Sequence, residues 1–123
     1  MSDKITIKWL SKPEEHDYPA ALSYLSLLVD DKKAAAFVRK LKRAPTAEFK
    51  AKDIFRASEL PLLGISNERL KRDQKKIQDG KELSPILLVR DQTNGKVIIA
   101  DGYHRLCAVY SHDENAVVPC KII

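Results

Sequence analysis

A chain of 123 residues, 44% hydrophobic and 32% charged, has the composition of one globular domain and excludes a disordered or fibrous protein. Its 22 Lys and Arg against 17 Asp and Glu give a net charge of +5, which suits phosphate ligands, nucleic acid or acidic membrane as well as simple solubility. The two cysteines, Cys107 and Cys120, are too few for a disulfide scaffold or a structural zinc, no apolar run approaches the roughly 20 residues of a membrane span, and the N-terminus lacks a signal-peptide pattern, so a cytoplasmic protein with buried reduced thiols and no membrane partner is expected.

Ile5, Ile7 and Trp9 alternate with polar residues and predict a short strand. Ser11 to Pro19, polar and bounded by prolines, predicts a loop. Ala20 to Val29 predicts a helix. Asp30 or Asp31 can cap a second one, with Ala34, Phe37, Val38 and Leu41 on one stripe and Pro45 as its stop, and a single helix bent across Asp30-Asp31 fits equally. Lys32, Lys33, Arg39, Lys40, Lys42 and Arg43 fall mostly off that stripe, as either a solvated face or an electrostatic footprint for DNA.

Phe49 to Ile54 predicts a strand running into a helical turn. Ser66 is an expected N-cap for a helix through Gln78, with Gly80 as its stop and only Leu70 and Ile77 to bury. Ile86 to Val89 and Val97 to Ala100 predict a hairpin around Asn94-Gly95. Tyr103 to Ser111 predicts a helix, and Val117 to Ile123 a last strand whose Pro119 points to a sheet edge. The sum is an α+β domain.

The densest chemical signal is Ile98-Ile99-Ala100-Asp101-Gly102-Tyr103-His104-Arg105. A strand stops, Gly permits a sharp turn and a helix begins, so unpaired N–H groups and positive partial charge meet one His and one Arg. That is a phosphate-site pattern. The same residues also fit a purely structural role, with Asp101 as N-cap and Arg105 paired to a nearby carboxylate.

Asp101-Gly102-Tyr103-His104-Arg105-Leu106-Cys107-Ala108, the closing Val118-Pro119-Cys120-Lys121-Ile122 and the approach Leu83-Ser84-Pro85-Ile86-Leu87-Leu88-Val89-Arg90 resemble the ParB/sulfiredoxin-like superfamily over residues 49–123. The resemblance implies a small mixed sheet with helices; it does not explain residues 1–48, whose own pattern predicts a strand and a helical segment, and the two parts are expected to form one compact unit. It implies a nucleoside di- or triphosphate (ATP, ADP or CTP) whose phosphates lie at Gly102, His104 and Arg105, with Ser66, Asn67, Arg69 and Lys71 of the preceding helix as further candidates. Asp-Gly-x-His-Arg also resembles the free-serine-kinase branch, which makes Asp101 a candidate for a catalytic or Mg²⁺-holding carboxylate beside its N-cap reading. Three functions compete: a nucleotide-phosphate-binding domain of phosphotransferase type, a DNA-binding or nicking module, and a non-catalytic adaptor that keeps the fold.

Tyr103 stands where sulfiredoxins carry their nucleophilic cysteine and ParB domains their glutamate. A phenol titrating near 10 cannot replace a thiolate, and ParB-type clamp behaviour does not carry over. The purified protein is therefore expected not to reduce a sulfinylated peroxiredoxin with ATP and thiol. Mass spectrometry of the peroxiredoxin checks this, and robust loss of the sulfinyl oxygens would contradict it.

Overall fold

The computed structural model describes residues 6–62 and 68–123. Among them lie five helices and two small sheets, an α+β architecture. In chain order these are β1 (Lys8–Trp9), α1 (Asp17–Leu25), α2 (Asp31–Arg43), β2 (Thr46–Lys50), α3 (Ala51–Ser58), α4 (Glu68–Gln78), β3 (Glu82–Leu83), β4 (Ile86–Asp91), β5 (Lys96–Asp101), α5 (Tyr103–His112) and β6 (Val117–Ile122). None of the described helices is long and apolar enough to cross a membrane.

The main sheet runs β2-β6-β4-β5, with β4 parallel to β6 and the other pairs antiparallel. The β1 and β3 pair is a separate parallel ribbon. β4 is buried on both faces, which is why its residues form an unbroken apolar run instead of an alternating one. Its Ile86 and Leu88 face a core built with Ile54, Leu70, Ile77, Leu106 and Val109 from α3, α4 and α5. Its Leu87 and Val89 face the second core, made with Tyr18, Ala21 and Leu25 of α1 and Ala34, Val38 and Leu41 of α2. Strand β2 straddles residues 48 and 49, and both N-terminal helices pack on the sheet.

Two expectations need correction, and of the two alternatives at Asp30-Asp31 the capped second helix is the one that forms. Residues 11–19 are not loop to their end: α1 begins at Asp17 and places Pro19 in its first turn, where a missing N–H costs nothing. Asp30 and Asp31 divide two separate helices, because Asp30 turns extended and its Oδ1 accepts from Lys33 N at 2.8 Å. Strand β6 is not at the edge but lies between β2 and β4. Its ladder with β4 begins only at Cys120, so Pro119 sits where β2 is its sole neighbour and no donor is missed. The predicted N-cap Ser66, like Asn67, lies outside the described residues.

Gly102 caps α5 with φ 106° and ψ 15°. A Cβ there would stand 2.5 Å from Ile86 Cδ1 and 2.9 Å from Arg105 NH2. The position thus combines a left-handed backbone with a close approach of β4, and only glycine meets both demands. Just before it, the ladder slips between Leu87 and Leu88, whose partners are Asp101 and Ile99. The extra residue, Ala100, is a β-bulge that aims Asp101 at the end of the sheet. Gly102→Ala is expected to lose about 2–4 kcal/mol of stability through backbone strain plus overpacking, read by urea unfolding; an unchanged midpoint would contradict it.

Candidate functional site

The chemistry gathers where β5 ends, β4 starts and α5 begins. Arg105 lies in the first turn of α5, and its side chain, 17% exposed, reaches back across the strand ends. Its Nε donates to the Ser84 carbonyl at 3.0 Å, and one terminal nitrogen donates to the Pro85 carbonyl at 3.2 Å and to Asp101 Oδ2 at 3.1 Å. The same nitrogen stands 3.9 Å from Asp17 Oδ2. Asp17 is itself only 2% exposed. It accepts from the Ser84 hydroxyl, from Glu14 N at 3.1 Å and stands 3.4 Å from His16 Nε2.

One guanidinium therefore serves two buried carboxylates and two carbonyls. Burial raises the Asp101 carboxyl above its usual value, against the pull of Arg105 and with the help of the Asp17 charge. The N-cap of α5 is Gly102, not Asp101, and supplies no side-chain acceptor. Asp101 is spent on Arg105 instead, and the first-turn N–H groups of α5 are left without a side-chain cap.

Beside this framework opens a cleft of about 410 Å3. Helix α4 contributes Arg69, Arg72, Asp73 and Lys76, and α5 contributes His104 and Arg105. The α4 residues follow the i, i+3, i+4, i+7 rule and so share one face, next to the Leu70–Ile77 seam that packs on α5. Glu14 lines the cleft from the N-terminal segment, Glu82 from β3 and Ser84 from the link between β3 and β4. Burial raises Asp73, opposed by Lys76, Arg105, His104 and Arg69. Burial also lowers His104, with Arg69 adding to the shift and Asp73 opposing it. The site thus carries a neutral imidazole among fixed cations at neutral pH.

Of the residues expected from the sequence, Gly102, His104, Arg105 and Arg69 come together here. Lys71 is exposed on α4 but is not on the cleft wall, because it lies two residues, about 200° of helix, from Arg69. Arg72, Asp73, Lys76, Asp17 and Ser84 were not expected. The first three follow from the Leu70–Ile77 register once α4 is treated as a helix. Asp17 and Ser84 are 67 residues apart and carry no local signal.

Among the described residues no three metal-ligating side chains stand together. A Mg²⁺ arriving on phosphates needs only one or two carboxylates from a protein, and Glu14, Asp73 and Glu82 are at the cleft wall. Thiol chemistry has no foothold: Cys107 is fully buried, burial pushes Cys120 up to about 12, and burial likewise raises Tyr103, whose hydroxyl donates to the Pro61 carbonyl. Comparison with family models, curated proteins and solved structures finds no match to this chain.

Removing Arg105 would strand two buried carboxylates. Arg105→Ala is expected to lose about 2–4 kcal/mol at neutral pH, somewhat below the figure for a fully buried pair. Burial already raises the Asp101 carboxyl and Arg105 opposes that rise; without the cation Asp101 rises further above its unfolded value, so proton uptake relieves the loss as pH falls. Unfolding at about pH 7 and about pH 4 should therefore show a smaller deficit at the acidic value. A deficit independent of pH would contradict the pairing.

Proposed function

We propose that the chain is a nucleotide-phosphate-binding domain of the ParB/sulfiredoxin-like type, with the phosphates in the cleft between α4 and the start of α5. The observation that supports this most is the convergence of Arg69, Arg72 and Lys76 from one face of α4 with His104 at the uncapped first turn of α5. Guanidinium forks and an ammonium match phosphate oxygens, and backbone N–H groups at a helix start favour the same ligand. The Asp-Gly-x-His-Arg resemblance points to the same place.

Within this reading Arg105 is the frame and not the principal phosphate ligand, since its Nε and one terminal nitrogen already hold two carbonyls and Asp101. His104 is the adjustable group. A phosphate dianion beside it favours the imidazolium, so affinity rises as pH falls from about 8 to about 6. A phosphotransferase built on this site would use the carboxylates at the wall for Mg²⁺, carried in by the nucleotide.

Calorimetric titration with ATP, ADP and CTP, with and without Mg²⁺, tests the proposal. Submillimolar binding of at least one is expected, weakened by about 1.5–3 kcal/mol in Arg72→Gln, the scale of a charge-assisted hydrogen bond. His104→Gln should flatten the pH dependence. No heat with any of the three at millimolar concentration would refute the nucleotide reading and leave a non-catalytic adaptor.

A further inference from the structure

The second concentration of charge lies away from the cleft. Helix α2 packs through Ala34, Val38 and Leu41 on the sheet face opposite the one that α4 and α5 cover. Its outward residues Lys32, Lys33, Arg39, Lys40, Lys42 and Arg43 are all exposed. Residues 32–47 contain no Asp or Glu, and among the described residues none of the six cations takes part in an ion pair. At 100° per residue Lys32, Arg39 and Arg43 lie within about 40° of one line along the helix, with Lys33 and Lys40 on a second line beside it. Lys121 adds a further ammonium at the C-terminal end, its Nζ 2.8 Å from the Lys42 carbonyl. Lys42 stands over the Tyr18 ring, its Nζ 5.4 Å from the centroid; the other five cations, crowded on one helix, repel one another, and a polyanion relieves that repulsion.

We infer that the outer face of α2 is a docking surface for the phosphate backbone of duplex nucleic acid, bound without base preference. A duplex offers one negative charge per roughly 1.7 Å of axis, so along the roughly 20 Å of this 13-residue helix it presents more charges than the helix carries cations. An acidic membrane is the poorer partner. An interfacial helix needs its apolar face free to enter the lipid, and here Ala34, Val38 and Leu41 are consumed by the core. The inference does not depend on what the cleft binds, because the two sites occupy opposite faces of the sheet.

Fluorescence anisotropy with a labelled random duplex of roughly 20 bp, over about 25–200 mM KCl, tests it. Binding should strengthen steeply as salt falls, with a slope of log K on log salt of about −4.5 to −5.5 for five or six phosphates. In the variant K33Q/R39Q/K40Q/R43Q the affinity should fall at least about tenfold at 50 mM salt and the slope should shrink by about 3–4. The charge-preserving R39K/R43K should stay within about threefold of the parent, since compact cations serve phosphate almost as well, and it separates charge loss from misfolding. No duplex binding at the lowest salt overturns the inference. So does a loss that follows R69Q/R72Q/K76Q instead of the α2 variant, which would move the nucleic-acid site to the cleft. Binding to phosphatidylserine vesicles without binding to duplex overturns it as well.

Discussion

The Arg105 guanidinium is the contact on which the arrangement of the site rests. It joins the end of β5 through Asp101, the entry to β4 through the Ser84 and Pro85 carbonyls, and the start of α1 through Asp17. A planar fork of fixed donors can hold several acceptors at once, which a lysine cannot do. The Ser84 hydroxyl, donating to Asp17, closes the same network from the β4 side. Two carboxylates this close would repel each other without the cation between them, so the charge balance and the geometry depend on the same residue. Gly102 is part of this constraint: its missing Cβ leaves room for both Ile86 and the guanidinium.

Beside this frame the cleft wall is built by other groups. The cations on α4 are carried by a helix whose Leu70 and Ile77 are fully or almost fully buried, so a thin apolar seam is enough to fix a long polar face. Asp73 among those cations would ordinarily be pulled to a low pKa; burial overrides the pull and raises it. His104 is shifted the other way by the same cause. Both shifts have the same cause, partial burial that disfavours the charged form of each group.

Much of the framework was legible in the sequence. The hairpin and α5 announce themselves through Asn94-Gly95, the run Ile86 to Val89 and the Gly102 break, and α4 through its Gly80 stop and the Leu70–Ile77 spacing, because turn chemistry and apolar spacing are local signals. The edge placement of β6 was misjudged, since Pro119 reports only that one neighbour is missing at that residue, and not where the whole strand lies. Asp17 reads as one more polar residue between two prolines; its burial depends on Ser84 and Arg105, far along the chain, and no local pattern encodes it. For the same reason Arg105 has a single sequence signature but two structural readings, phosphate ligand or internal clasp. Its acceptors, which only the folded chain assembles, favour the clasp.

In the proposed nucleotide site Arg69 and Arg72 would meet the phosphates, while Arg105 would stay on its internal acceptors. Nuclear magnetic resonance of the arginine Nε–Hε groups during titration with ADP tests that division directly. The predicted result is movement of the Arg69 and Arg72 signals with saturation, while the Arg105 signal, held on the Ser84 carbonyl, stays in place. Movement of Arg105 alone, with Arg69 and Arg72 unchanged, would contradict it.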